Sequence, residues 1–117
     1  MRVLIACEYS GTVRDAFLKA GHVAVSCDIL ECESKYPIPP HTPYNGHFKG
    51  SIFDLLAVDT KWDLMIAHPP CTHLSVSGAR WFPPHTKEGE PGFKPLSLRE
   101  EGLQFVKDLM SVDIPRI

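Results

Sequence analysis

The sequence predicts an α/β fold, a parallel sheet with flanking helices, and three observations predict it. Short apolar runs recur at Arg2–Cys7, His22–Cys27 and Trp62–Ala67, each of a length suited to a buried strand. A glycine-bearing turn and a helically spaced stretch separate the first two runs. An acid, Asp28, closes the second. Strand, turn, helix, strand, acid is the opening of a parallel sheet, because strands that run the same way need a crossover between them.

The elements follow in order. Glu8-Tyr9-Ser10-Gly11 is composed of turn residues. Val13, Ala16, Phe17 and Ala20 then fall at i, i+3, i+4 and i+7, an apolar stripe for packing on a sheet. Gly21 is placed to stop that helix. Residues 29–49 are expected to be a surface loop, since Pro37, Pro39, Pro40 and Pro43 with Asn45-Gly46 are incompatible with a helix. Gly50–Ala57 reads as a short helix, and Trp62 as an anchor for the strand it opens. A second long loop runs from His68 to Pro95 and holds Pro83, Pro84, Pro91, Gly89 and Gly92; loops of that length usually carry function or are disordered. Ser97-Leu98-Arg99-Glu100 is a capping-box pattern opening a helix whose apolar face is Leu103, Val106, Leu109 and Met110. Ile114–Ile117 reads as the first residues of a further strand, so the chain is expected to be one partial, N-terminal domain spanning 1–117, a fragment or an abbreviated form.

Composition bounds the function. The chain has 117 residues, 44% hydrophobic and 22% charged, with a net charge of −2. Those values exclude disordered, collagen-like and disulfide-scaffold classes. They also exclude a strongly basic nucleic-acid binder, while leaving room for a local basic patch. No apolar run approaches the roughly 18–20 residues of a membrane span, and Glu8 interrupts the only N-terminal apolar stretch, so cytoplasmic residence without a signal peptide is expected. The four cysteines, Cys7, Cys27, Cys32 and Cys71, form no C-x-x-C pair and are expected to be free thiols. No metal site is expected, since no His or Cys pair has finger or ribbon spacing. His22 and His47 read as surface or turn residues, and Trp81-Phe82 as loop packing or a stacking surface.

In a parallel sheet ligands sit beyond the carboxyl ends of the strands. Four features fall there: Glu8 to Gly11, Asp28, the segment Ser51 to Asp54, and His68-Pro69-Pro70-Cys71. A small-residue turn opening a helix offers free backbone N–H groups. An acid closing the second strand suits the hydroxyls of a ribose. Together they suggest an adenosine-containing cofactor; the plainer alternative is that Gly11 only turns the chain and Asp28 only ends a strand. Cys71, held by two prolines at a strand end, is either a reactive thiol near His68, His73 and Arg80 or a small buried hydrophobe.

The run His68-Pro69-Pro70-Cys71-Thr72-His73-Leu74-Ser75-Val76-Ser77-Gly78 resembles the catalytic motif of the DNA cytosine-5 methyltransferases, approximately Pro-Cys-Gln-x-Phe-Ser-x-Ala-Gly followed by a basic residue. Pro70, Cys71, Ser75 and Gly78 match in spacing, and Arg80 stands near the basic position; Thr72 and Leu74 depart from the usual glutamine and aromatic. Residues 4–17 resemble the first cofactor motif, Asp28 with Ile29 the second, and Asp54 with Leu55 the third. The ordered set resembles in particular the small phage and prophage proteins of this type.

The resemblance implies a Rossmann-like, S-adenosyl-L-methionine-dependent fold. It assigns cofactor contacts to Glu8, Tyr9, Ser10, Gly11, Asp28, Ile29, Asp54 and Pro69, with Asp28 on the ribose and Asp54 on the adenine amino group. Cytosine, flipped from DNA, would meet Pro70, Ser75, Gly78 and Arg80, and Cys71 would add to C6 of the ring. A Glu-Asn motif, an Arg-x-Arg element and a target-recognition region are expected in such enzymes after the next strand, and this sequence has none of them, so activity of this short chain is expected to be impaired. A non-catalytic binding module and a thiol enzyme acting on a free nucleotide are the alternatives. An unfinished sheet edge calls for a second copy of the chain or a protein partner to cover it.

Overall fold

The computed structural model describes residues 1–69, 88, 89 and 95–117. The chain divides into two compact units, Met1–His68 with Asp113–Ile117, and Pro69–Val112. The first contains strands β1 (Arg2–Ala6), β2 (Val23–Asp28), β3 (His47–Lys49) and β4 (Leu64–Ala67), with helices α1 (Thr12–Lys19) and α2 (Ile52–Val58). The second contains α3 (Leu96–Met110). Among the described residues no helix is long and apolar enough to cross a membrane.

The four strands form one parallel sheet in the order β3-β2-β1-β4. β1 lies between two partners, pairing Leu4 with both Val25 and Met65. Its residues Val3 to Ala6 are fully buried, which explains why the sequence there is a continuous apolar run and not an alternating one. On one face Val3, Ile5 and Ala24 pack with Leu18 of α1, joined by Val13, Phe17, Leu64 and Ile66. On the other face Leu4, Val25 and Met65 are fully buried, and α2 buries Ile52 and Leu55. The β1–β2 and β3–β4 crossovers travel in opposite directions along the sheet. Right-handed connections therefore put α1 and α2 on opposite faces.

Helix ends follow local chemistry. Gly21, at φ +90°, closes α1 with two bonds, its own N–H to the Leu18 carbonyl (3.1 Å) and that of His22 to Phe17 (3.1 Å), a Schellman arrangement. Ser51 caps α2 through its hydroxyl, which accepts from Phe53 N (3.2 Å), so this helix starts after the cap at Ile52 and not at Gly50. Trp62 precedes β4, buried and donating its Nε1–H to the Asp59 carbonyl (3.1 Å). Beside it Arg2 stacks on the Trp62 ring at 4.1 Å and forms a two-pronged pair with Asp59 (3.0 and 2.8 Å), pinning the amino end of β1.

Four expectations are corrected. Residues 29–49 are not all loop. His47–Lys49 adds to the edge of β2, and His47 is a strand residue whose ring bonds Ser26 and Leu30. Ala16 of α1 and Ala20 at its C-cap are exposed, and the buried stripe is instead Arg14 and Leu18 flanked by Val13 and Phe17. The helix is turned by a charged residue that has buried partners, a preference no hydrophobicity pattern registers. α3 begins with Pro95 as its N-cap, and Ser97 lies inside it, so no side chain caps it. Within α3 Leu109 is buried while Leu103 and Met110 are exposed, since one stripe of a helix has room for fewer apolar residues than were assigned to it.

Ile114–Ile117 does run beside β4 as a further parallel segment. Met65 N donates to Pro115 O (2.8 Å), Ile117 N to Met65 O (2.9 Å) and Ala67 N to Ile117 O (2.9 Å), so the outer edge of β4 is paired within the chain.

The polar counterpart of the core is centred on Arg14, 2% exposed. Its guanidinium donates to Asp15 (Nε 3.0 Å, Nη2 2.8 Å), to the Gly46 carbonyl (3.1 Å) and to Ser26 Oγ (3.3 Å). Ser26 Oγ lies 2.7 Å from His47 Nδ1, and His47 Nε2 donates to the Leu30 carbonyl (2.9 Å). Ser34 donates to the other oxygen of Asp15. One charge thus ties α1, β2, β3 and the connecting segment together. Arg14→Ala is expected to cost about 3 kcal/mol, because it strands buried acceptors and a carboxylate. Urea titration should show a lower midpoint with an unchanged slope.

Candidate functional site

The path of the chain defines where a ligand belongs. It runs from β1 outward to β2 and β3, then returns past β1 to β4, so the strand order reverses between β1 and β4. In open parallel sheets such a reversal leaves a crevice at the carboxyl edge. A hollow of about 380 Å³ lies there, lined by Cys7, Glu8, Tyr9 and Ser10 after β1, Thr12 and Val13 at the start of α1, and His68 after β4. That volume is within the range of small-molecule sites.

Three of the expected cofactor residues, Glu8, Tyr9 and Ser10, line this hollow. Gly11 stands directly behind it at φ +78° as the N-cap of α1. A Cβ there would come within 2.6 Å of Ser34 Cβ, so glycine is required both by the backbone and by the segment packed over it. That segment is held by Glu33 N donating to the Tyr9 carbonyl (2.8 Å).

The expectation of free N–H groups at the start of α1 is corrected. The Glu8 carboxylate, 6% exposed, accepts from Val13 N (2.8 Å) and Arg14 N (3.3 Å), and Ser10 Oγ accepts from Thr12 N (3.3 Å) while donating to Glu8 (3.3 Å). An acid favours a helix N-terminus both by charge and by accepting its unpaired donors. The first turn of α1 is therefore occupied by the protein's own carboxylate.

Asp28 ends β2, outside the lining of the hollow. Its Oδ1 accepts from Leu30 N (2.9 Å), and its carbonyl accepts from Gly50 N (2.8 Å). Its other carboxylate oxygen accepts no hydrogen bond among the described residues. Asp54 is exposed in the first turn of α2, and Ile29 is 71% exposed. Asp28 and Asp54 both act on the buried Cys27 thiol between them, which burial first, then Cys7 and the two acids, pushes up to about 12. Pro69 is half-buried and opens the second unit. Pro70, Cys71, Ser75, Gly78 and Arg80 lie outside the described residues, as do Trp81 and Phe82.

Cys7 escaped sequence reasoning as a site residue, and His68 was expected only within the segment after β4 and as a neighbour of Cys71. Cys7, expected only as the last residue of a strand, adopts φ +61°, a left-handed conformation uncommon for a residue with a side chain, at the mouth of the hollow. His68 bonds through its backbone N–H to the Ala6 carbonyl (3.0 Å), which sets its side chain in the lining. The proximity of His68 to the turn after β1 depends on β4 pairing with β1, and no local signal announces that.

No family model, no curated protein and no solved structure matches this chain.

Two outcomes follow from this geometry. Glu8→Ala should lower stability by about 1–2 kcal/mol by leaving the first turn of α1 uncapped, and thermal unfolding will show it as a lower midpoint. Cys7 is pushed up to about 11 by burial and then by the negative charge of Asp28. Its thiol is therefore protonated at pH 7.5, and iodoacetamide labelling of Cys7, followed by peptide mass mapping, should be slow there and rise about tenfold per pH unit toward pH 11.

Proposed function

We propose that this chain carries a Rossmann-like methyltransferase domain of the DNA cytosine-5 type, using S-adenosylmethionine as methyl donor and Cys71 as nucleophile. The observation that carries this reading is the hollow at the reversal point of a parallel sheet, lined by the first of four motif segments that recur in the expected order along the chain. Glu8 to Gly11 follow β1, Asp28 ends β2, Asp54 opens the helix after β3, and His68-Pro69 follows β4. Each segment belongs to the carboxyl edge, where such sheets bind nucleotides.

The residues fit the cofactor in kind. Asp28 has a carboxylate oxygen unused by its own turn, suited to ribose hydroxyls, and the hollow offers the Tyr9 ring with the Thr12 hydroxyl. Asp54 would take the adenine amino group, and Ile29 with Pro69 would supply apolar contact. S-adenosylmethionine supplies an electrophilic methyl group on a sulfonium sulfur. Cys71, as thiolate, adds to C6 of a cytosine flipped from the duplex and raises electron density at C5. C5 would then bond the methyl group while the donor's sulfur keeps the electron pair of the broken carbon–sulfur bond, and loss of the C5 proton to water with departure of the thiolate would restore the aromatic ring. A thiol serves here because a soft nucleophile adds to a polarised carbon–carbon double bond and leaves again.

A second reading is a methyltransferase-fold binding module without turnover. It is favoured by the described lining of the hollow, whose acid Glu8 and Ser10 hydroxyl are engaged in holding the start of α1.

A duplex containing 5-fluorocytosine distinguishes the two. Incubated with S-adenosylmethionine, the protein is expected to form a covalent adduct that survives a denaturing gel and is abolished by Cys71→Ala. Calorimetry should show cofactor binding weakened about tenfold or more by Asp28→Ala, the loss of a charge-assisted hydrogen bond. Binding without an adduct leaves the module reading. No binding by the wild-type protein overturns both.

A further inference from the structure

The lining of the hollow is short of positive charge. Its described residues, Cys7, Glu8, Tyr9, Ser10, Thr12, Val13 and His68, include no lysine or arginine. The nearby donors that would ordinarily receive an anion, the first N–H groups of α1, bind Glu8 and Ser10 instead. The Ser10 hydroxyl is directed to Glu8 as well. Three strong side-chain donors remain, the hydroxyls of Tyr9 and Thr12 and the imidazole of His68. Only the imidazole can also carry a positive charge. Its ring nitrogens make no hydrogen bond to any described residue, while its backbone is fixed beside the end of β1 by the bond to Ala6.

We propose that His68 receives the carboxylate at the amino-acid end of the ligand, an assignment that rests on the methyltransferase reading above. Glu8 sets the polarity. A carboxylate has about four acceptor positions, and Glu8 uses three, for Val13 N, Arg14 N and the Ser10 hydroxyl. The remaining position and the negative charge favour an ammonium group on the Glu8 side and repel a carboxylate from it. A zwitterionic amino-acid tail is thereby oriented, with its ammonium toward the turn after β1 and its carboxylate toward the end of β4.

The test compares three adenosine ligands by calorimetry on the full chain: S-adenosylmethionine, its decarboxylated form, which keeps the sulfonium and the ammonium, and 5′-methylthioadenosine, which lacks the whole tail. The wild-type protein should prefer S-adenosylmethionine over the decarboxylated form by about tenfold, the worth of one charge-assisted hydrogen bond. His68→Ala should bring that ratio near one and leave the other two affinities unchanged. His68 is exposed, so the variant should melt with the wild-type protein; His68→Gln, which keeps a side-chain N–H donor, should retain part of the preference. A ratio unmoved by His68→Ala overturns the assignment and leaves the methyltransferase reading standing. Failure of the wild-type protein to bind any of the three overturns that reading and this assignment together.

Discussion

A guanidinium taken out of water must find partners for its donors and a countercharge, and Arg14 finds them on three separate parts of the chain. Asp15 neutralises it from the same helix, Ser26 receives it from β2, and the Gly46 carbonyl receives it from the turn before β3. Through Asp15 and Ser34 it also orders the segment that crosses the start of α1. Its bonds to Ser26 and Gly46 fix the face that α1 turns to the sheet, and in the first turn of that helix Glu8 closes on Val13 and Arg14.

The site inherits its character from this arrangement. With its own carboxylate on the helix N-terminus, the protein exchanges a general anion receptor for a hollow whose described lining holds an acid and no lysine or arginine. Glu8 holds the turn compact, Gly11 lets the Cys32–Ser34 segment approach within contact, and Cys7 takes up the conformational strain. Cys7 and Cys27 are both held protonated beside Asp28. These thiols suit packing near a ligand, and the proposed nucleophile is a different residue, Cys71.

Much of the fold was legible because its signals are local. β1, β2 and β4 are continuous apolar runs, since each is a strand of a parallel sheet whose faces are covered. Gly21 and Ser51 mark helix ends through backbone chemistry that operates within a few residues. β3 was not legible: three residues, His47–Lys49, with a histidine and a lysine at their ends, have no strand signature, and they pair because β2 offers an open edge. The 31–38 segment carried a readable hint. Cys32, Ser34, Tyr36 and Ile38 alternate inward with exposed neighbours, and Tyr36 and Ile38 reach the core around Val3 and Ile5. The prolines between them masked a period of two. The burial of Arg14 escaped for another reason, that hydrophobic periodicity counts a charged residue as solvent-facing whatever partners await it.

By itself the sequence determined that a parallel α/β sheet forms and in what order its polar turns follow its strands, because apolar runs, glycines and caps act over a few residues at a time. It also supplied the motif residues and their spacing. Tertiary structure alone decided that β4 lies beside β1, which brings His68 to the hollow after β1, and that Glu8 occupies the helix start that a ligand would otherwise meet. Both outcomes are set by contacts between residues far apart in the chain or by competition for the same donors, and neither leaves a trace in a short stretch of letters.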